Sequence, residues 1–410
     1  MTLLLREGLT GVRVIRAFNQ EERENRFFDE GNRKMTDIII KVSNVMQIIS
    51  PIINILFNLV FFGIYLIGFV LFDKMLLGVI PFNMNAFSQT ITAMMYAQHI
   101  MMSFMMLSFT FIMFPRVKVS AKRINAVLNV KPNIVDPEAP LDKELIDTGI
   151  VKFENVTFTF SDLEHPTLKN INFTAEPGTT TAIVGSTGSG KSSIINLLPR
   201  FFDASVGKVT FDGYDVRDFK LNDLRDKIGF VPQTAVLFKG TIRDNLRFGN
   251  ENATDEEMWE ALRVAQAAGF VSKLELGLDA PVAQGGKNFS GGQRQRLAIA
   301  RALVRKPKIY VFDDSFSALD FKTDIRLRSA LKDYAKDATI FVVAQRVNSI
   351  LDAHQILVLD NGEVAGIGKH ADLLNSCKVY QEIVTSQLNP EEIKKSRDMF
   401  KDFTTEGGKA

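Results

Sequence analysis

The chain has 410 residues, is 46% hydrophobic and carries a net charge of +2, which allows two or three domains of ordinary composition. Its one cysteine, Cys377, excludes an intrachain disulfide or a thiolate metal cluster and suits a reducing cytosol; four scattered histidines argue against a His-based metal site. No Lys/Arg-rich run marks a nucleic-acid patch, so nucleic acid is not an expected partner.

The opening Met-Thr-Leu-Leu-Leu-Arg-Glu-Gly is too short an apolar run for a signal peptide and reads as the middle of a helix. From Leu3 to Lys41 the sequence is charged and amphipathic, with Leu4, Val12, Ile15, Phe18, Phe27 and Phe28 recurring near helical spacing. Ile48 to Phe72 is almost free of charge and, at about 25 residues, can cross a hydrocarbon core of roughly 30 Å; Pro51 falls in its first turns, where a kink is tolerable. Asp73 and Lys74 end that run, Gly78 and Pro81 mark a turn, and a second apolar run covers Ile91 to Phe114 before Pro115-Arg116. Arg6, Arg13, Arg16, Arg23, Arg26, Arg33, Lys34 and Lys41 precede the first run, and Arg116, Lys118, Lys122 and Arg123 follow the second. The loop between holds only Lys74. Positive-inside bias therefore puts both ends in the cytoplasm. A buried helical hairpin of a soluble domain is the other reading of these runs; their length and flanks favour the membrane. Asn54 and Asn58 share a helical face suited to interhelical hydrogen bonds or, less readily, to substrate. Met94, Met95, Met101, Met102, Met105, Met106 and Met113 read as packing or lipid-facing residues or as an adaptable, substrate-tolerant wall, and His99 as a pathway or a bundle-facing group.

Pro132, Pro137 and Pro140 mark a linker over 131–149, after a membrane unit over 1–130. Short β-rich runs then alternate with helical ones: Val151–Phe160, Ile171–Ala175, Thr180–Val184, Lys208–Phe211, Ile228–Val231, Lys308–Phe312, Thr339–Val343 and Gln355–Leu359. The alternation predicts an α/β domain over 150–388 with a mainly parallel sheet, and 389–410 reads as a polar, mobile tail. The fold class expected is thus an α-helical transmembrane segment, two membrane helices (about 48–72 and 91–114) with long cytoplasmic extensions, followed by an α/β P-loop nucleotide-binding domain.

Thr180–Val184 is a buried-strand pattern running directly into Gly185, Ser186, Thr187, Gly188, Ser189, Gly190, Lys191 and Ser192, with a helix from Ser193 onward. Strand, glycine-rich turn and helix together make a phosphate-binding loop, in which backbone N–H groups wrap the phosphates of ATP. Lys191 suits the terminal phosphates and the Ser192 hydroxyl suits Mg²⁺. Lys308–Phe312 is an apolar strand ending in Asp313-Asp314, one carboxylate placed for Mg²⁺ and the next for orienting attacking water.

Asn288-Phe-Ser-Gly-Gly-Gln293, followed by Arg294-Gln-Arg296 and a helical run, resembles the signature sequence of ATP-binding cassette proteins, and the likeness extends over Val151 to Val384. The resemblance implies that Phe160 stacks on adenine and that Gln233 belongs to the glutamine loop that touches Mg²⁺, water and the membrane domain. It implies that Ser317-Ala-Leu-Asp320 couples two sites. It also implies that Ser290, Gly291, Gly292 and Gln293 face a γ-phosphate across a dimer of cassettes. Leu5-Arg-Glu-Gly-Leu-Thr-Gly-Val-Arg-Val-Ile-Arg-Ala-Phe-Asn19 resembles the cytoplasmic helix leading into the fifth membrane helix of exporters of this family, making the two apolar runs the fifth and sixth.

Two positions depart from that family. Asp314 stands where fast hydrolysers carry glutamate, and Gln345 where they carry the switch histidine. Slow turnover at this chain's own site is the expectation, because a positioned base contributes roughly 10²–10⁴-fold and misplacement forfeits much of it. Asp314, Gln345 and Gln233 are thus the catalytic candidates, and Ser192, Gln233 and Asp313 the metal-binding ones. With the signature intact, the chain resembles one half of a heterodimeric exporter of multidrug or lipid type. Its expected partner is a different half with Glu and His at those positions, its expected surroundings are membrane lipids, and its expected substrate is an amphipathic small molecule. Only two of six membrane helices are visible, so the chain reads as truncated at its N-terminus.

Overall fold

The charged amphipathic stretch is broken near Asn19, and only its second part continues without interruption into the first apolar run. In the computed structural model, which describes residues 2–81 and 84–401, α1 spans Thr2–Ala17, α2 Glu21–Leu76 and α3 Met84–Leu128. The α1–α2 break falls at Asn19, whose φ of 52° is left-handed, a conformation asparagine tolerates better than most residues. Glu21, Glu22 and Glu24 in the first turn of α2 favour its start through the helix dipole. Pro51 lies inside α2, and α3 runs through Pro115, past the predicted end of the apolar run. The segments long and apolar enough to cross a membrane are Pro51–Leu76 and Ser88–Leu128, neither buried within the chain. Among the described residues Asn54 and Asn58 make no interhelical hydrogen bond and are exposed, as is His99.

The chain divides into two units, one up to Lys131 and one from Pro132 onward. In the second, the strands are β1 Val151–Phe158, β2 Leu168–Ala175, β3 Thr180–Gly185, β4 Val206–Phe211, β5 Tyr214–Asp215, β6 Ile228–Val231, β7 Gly240–Thr241, β8 Pro281–Val282, β9 Ile309–Asp313, β10 Thr339–Val343, β11 Gln355–Asp360 and β12 Glu363–Gly368. The helices are α4 Lys191–Leu197, α5 Leu221–Asp226, α6 Ile242–Arg247, α7 Asp255–Val264, α8 Ala268–Val271, α9 Gly291–Val304, α10 Phe321–Tyr334, α11 His370–Ser376, α12 Lys378–Gln387 and α13 Pro390–Lys401.

The expected mainly parallel sheet is present. Its order is β12-β11-β3-β10-β9-β6, parallel except for the edge strand β12, which the sequence reading missed. Strands β1, β2 and β4, whose sheet the sequence pattern did not specify, form a separate antiparallel sheet in the order β2-β1-β4-β5. The burial patterns explain the division: β10 is buried at all five residues, as a strand covered on both faces must be, whereas β1 alternates. One core fills the space between the sheets with Phe153, Phe173, Ile183, Ile194 and Phe341; the other packs α7, α9 and α10 against the parallel sheet through Met258, Leu297, Leu303 and Leu327.

Two further differences concern the ends of this unit. The stretch read as a linker packs onto it: Ile146 is fully buried, and Asp212 accepts the backbone N–H groups of Asp147, Thr148, Gly149 and Ile150. The stretch read as a mobile tail contains α13, where the Ser396 hydroxyl meets His370 Nε2 at 3.1 Å while Tyr380 meets His370 Nδ1 at 2.7 Å. Ser396 and Tyr380 are both buried, so a polar sequence conceals a packed helix; residues 402–410 of that predicted tail lie outside the described residues.

Phe341 is fully buried with its ring 6.4 Å from that of Phe173 across the two sheets. Phe341→Ala should destabilise the isolated second unit by about 3–5 kcal/mol, read as a lower urea midpoint at unchanged slope.

Candidate nucleotide-binding site

Parallel pairing brings distant parts of the sequence to one edge. In the sheet, Ile183 of β3 lies beside Val343 of β10, and Val343 beside Asp313 of β9. The phosphate loop, the acidic pair and the Gln345 loop therefore leave adjacent strands at their carboxyl ends, where open α/β sheets bind ligands.

The loop from Gly185 to Lys191 turns as its glycines require. A Cβ on Gly185 would lie 2.3 Å from the Leu359 carbonyl oxygen, and one on Gly190, at φ 97°, 2.6 Å from Leu168 Cδ2. Ser186, Thr187 and Gly188 form the exposed rim, and Ser193 is buried in α4. The Lys191 ammonium donates to the carbonyls of Gly185 at 2.9 Å and Ser186 at 2.6 Å, folding across the loop. Burial lowers its pKa, against the opposing pull of Asp314 and Asp313. Ser189 Oγ is buried without a hydrogen-bond partner, beside Gly185, so the loop holds an unsatisfied polar atom of the kind a phosphate oxygen would meet.

Ser192 Oγ lies 3.4 Å from Asp313 Oδ1, which brings together a hydroxyl and a carboxylate suited to Mg²⁺. Asp314 is 7% exposed and left-handed at φ 47°. Its N–H donates to the Val343 carbonyl, and its Oδ2 accepts from Gln233 Nε2 at 3.2 Å and Gln345 Nε2 at 2.8 Å. All three catalytic candidates thus meet at one carboxylate oxygen. Burial pushes the Asp314 carboxyl up, opposed by the Gln233 and Ser317 hydrogen bonds and the charge of Arg346.

No hydrogen bond joins Ser290, Gly291, Gly292 and Gln293 to the phosphate loop among the described residues. Ser290 caps α9 reciprocally: its Oγ accepts from Gln293 N–H at 3.3 Å, and Gln293 Oε1 accepts from Ser290 N–H at 2.9 Å. The hydroxyl proton of Ser290 and the first N–H groups of a 14-residue helix remain available as donors at an exposed end. Phe160 is half-buried, edge-on to Phe158 at 4.7 Å and Phe202 at 5.2 Å.

Sequence reasoning missed two supporting residues. Gln387, at the end of α12, donates to the Gln345 carbonyl at 2.8 Å and accepts from Val347 N–H at 2.9 Å, bracketing the loop after β10. Gln295, buried in α9, donates to the Pro232 carbonyl beside Gln233 at 3.4 Å. Nothing local in either segment signals these contacts.

Residues 168–317 match the family described as ABC transporter, and residues 1–95 match the ABC transporter transmembrane region. The chain belongs to the ABC transporters. An uncharacterised ABC transporter ATP-binding protein of Mycobacterium tuberculosis is 42% identical over 94% of this chain and 65% of its own length. An ATP-dependent lipid A-core flippase of Syntrophus aciditrophicus is 32% identical over 96% of this chain and 64% of its own. The structure of a bacterial Atm1-family ABC exporter with ATP bound superposes with a TM-score of 0.80 at 29% identity, covering 94% of this chain and 66% of the other. This ABC transporter chain therefore spans about two thirds of the length of these relatives, 64–66%. Its helical region is a transmembrane region, and its nucleotide-binding domain is cytoplasmic.

Burial pushes the Asp313 carboxyl up, against the hydrogen bond from Ser192. The folded state holds this proton more tightly than the unfolded chain, so the ionised group costs stability above the raised pKa and nothing below the ordinary carboxylate range. Asp313→Asn should accordingly raise the nucleotide-free Tm by about 2–4 °C near pH 7.5 and leave it unchanged near pH 3. An equal shift at both pH values, measured by differential scanning fluorimetry, would exclude ionisation as the cause.

Proposed function

We propose that this chain is a subunit of an ATP-driven membrane exporter whose own site binds MgATP and turns it over slowly, while its signature completes a faster site on a partner. The observation that carries this reading is the pair of amide donors, from Gln233 and Gln345, on Asp314 Oδ2. A general base must offer a lone pair to the water it deprotonates, and two donated hydrogen bonds make this oxygen a weaker acceptor, leaving Oδ1 as the carboxylate's other acceptor. The aspartate side chain is also one methylene shorter than the glutamate the family's fast sites carry.

The loop residues fit ATP: Lys191 and the N–H groups of 187–192 would hold the phosphates, and Phe160 would take the adenine. Ser192, Asp313 and Gln233 would hold Mg²⁺, which supplies charge neutralisation at the phosphates. Gln345 can donate a hydrogen bond but cannot become a cation, so less negative charge is countered at this end of the site. Ser290, Gly291, Gly292 and Gln293 would serve a partner's nucleotide, a reading supported by the exposed N-terminal end of α9 that they form. The partner read from this asymmetry is a different half with Glu and His. The lipid A-core flippase relative supports an amphipathic, lipid-like or drug-like substrate.

A regulatory subunit that binds ATP without hydrolysing it draws on the same Asp314 arrangement. The two readings separate in the purified pair, where complete absence of hydrolysis favours regulation.

The test compares ATP hydrolysis by the isolated second unit with that of Asp314→Glu, Gln345→His. The variant should be faster by about 10² or more, with the natural sequence nearly inert. Brisk hydrolysis by the natural sequence would overturn the slow-site reading and favour a homodimer.

A further inference from the structure

Half of the chain's 14 methionines lie in residues 91–114 of α3, whereas the span Pro51–Leu76 of α2 contains only Met75 and is otherwise built largely from Ile, Leu, Val and Phe. A lipid-facing surface needs no thioether, because branched aliphatic residues serve it equally well. Four of these seven methionines are also aligned. At about 100° per residue, Met95, Met102, Met106 and Met113 fall within about 20° of a single line along the helix, and His99 about 40° from it. Met95, Met102 and Met106 are 57%, 66% and 75% exposed, and His99 is exposed.

The line is turned away from α2. Contact with α2 is marked by Thr90, whose Cγ2 would lie 2.9 Å from a Cβ on Gly68, and the less exposed Ala97, Met101 and Ser108 lie on the same side. That side is roughly 120–160° from the methionine line. His99 sits in the middle third of the apolar run, and among the described residues its imidazole has no hydrogen-bond partner. An ionisable ring at such depth is costly unless it has a function or a ligand.

We propose that His99, Met102 and Met106, with Met95 one turn away, form a binding site for a soft monovalent cation of the Cu⁺ or Ag⁺ class. His99 and Met102 are spaced i,i+3, while Met95 with His99 and Met102 with Met106 are spaced i,i+4, separations that put Cβ atoms about 5–6 Å apart. Flexible thioethers can converge from that distance on one ion. Thioether and imidazole ligands select Cu⁺ over hard cations, and residues 91–114 contain no Asp or Glu to hold Mg²⁺ or Ca²⁺. The site is independent of the nucleotide-site reading and stands or falls without it.

The test titrates Ag⁺ into the detergent-solubilised full chain by calorimetry, every sample carrying Cys377→Ala so that the thiol does not compete. Met102→Leu with Met106→Leu should weaken the tightest binding by about tenfold or more. Met101→Leu with Met105→Leu, off the line, should leave it unchanged. Such exchanges conserve volume, and an unaltered elution profile confirms folding. X-ray absorption of the silver-loaded parent should show sulfur together with nitrogen, the nitrogen lost in His99→Leu. Failure of the parent to bind, equal binding by the on-line variant, equal loss in the off-line variant, or a shell without nitrogen would each overturn the proposal.

Discussion

The pairing of β3, β10 and β9 in parallel is the constraint on which the rest of the nucleotide-binding domain depends. Parallel strands must be joined by crossovers, so residues that end adjacent strands are far apart in sequence: Gly185, Asp313 and Val343. The strands can sit at the centre of a sheet only if both faces are covered. Their continuous apolar character and the two cores are therefore the same requirement seen from opposite sides. Placing charged groups at the ends of such strands makes them half-hidden by construction, and the raised carboxyl pKa values of Asp313 and Asp314 follow from that position.

Asp314 shows how the arrangement divides labour. Its backbone continues the sheet's hydrogen bonding to Val343, its left-handed φ turns the chain out of the strand, and its side chain gathers Gln233 and Gln345 from two other loops. Such a knot orders the loops without any ligand, at the cost of burying a carboxylate. The signature turn is organised differently. Ser290 and Gln293 satisfy each other locally, which leaves the end of α9 stable on its own yet open to an anion brought from outside.

What could be read from the sequence was whatever is carried by local patterns. The phosphate loop depends on glycines within eight positions, the acidic pair ends a short apolar strand, and the membrane runs are set by length and flanking charge. The structure departs where distant partners decide. The alternation in β1 does not say which sheet it joins; β12 is too glycine-rich to register as a strand; and α13 reads as polar because its burial rests on Ser396 meeting His370. The packing of 147–150 is hidden for the same reason, since their four N–H groups depend on Asp212, more than sixty residues away.

The bracket that Gln387 places on the loop after β10 has a spectroscopic consequence. The amide proton of Val347 is donated to a side chain of α12 rather than to a neighbouring strand. Its exchange with solvent deuterium therefore reports whether the end of α12 is seated, not whether the sheet is intact. Protons of β10 itself, such as that of Phe341 in a fully buried strand, would exchange only with deeper opening. The two rates together form an internal gauge, one needle for the switch loop and one for the domain beneath it.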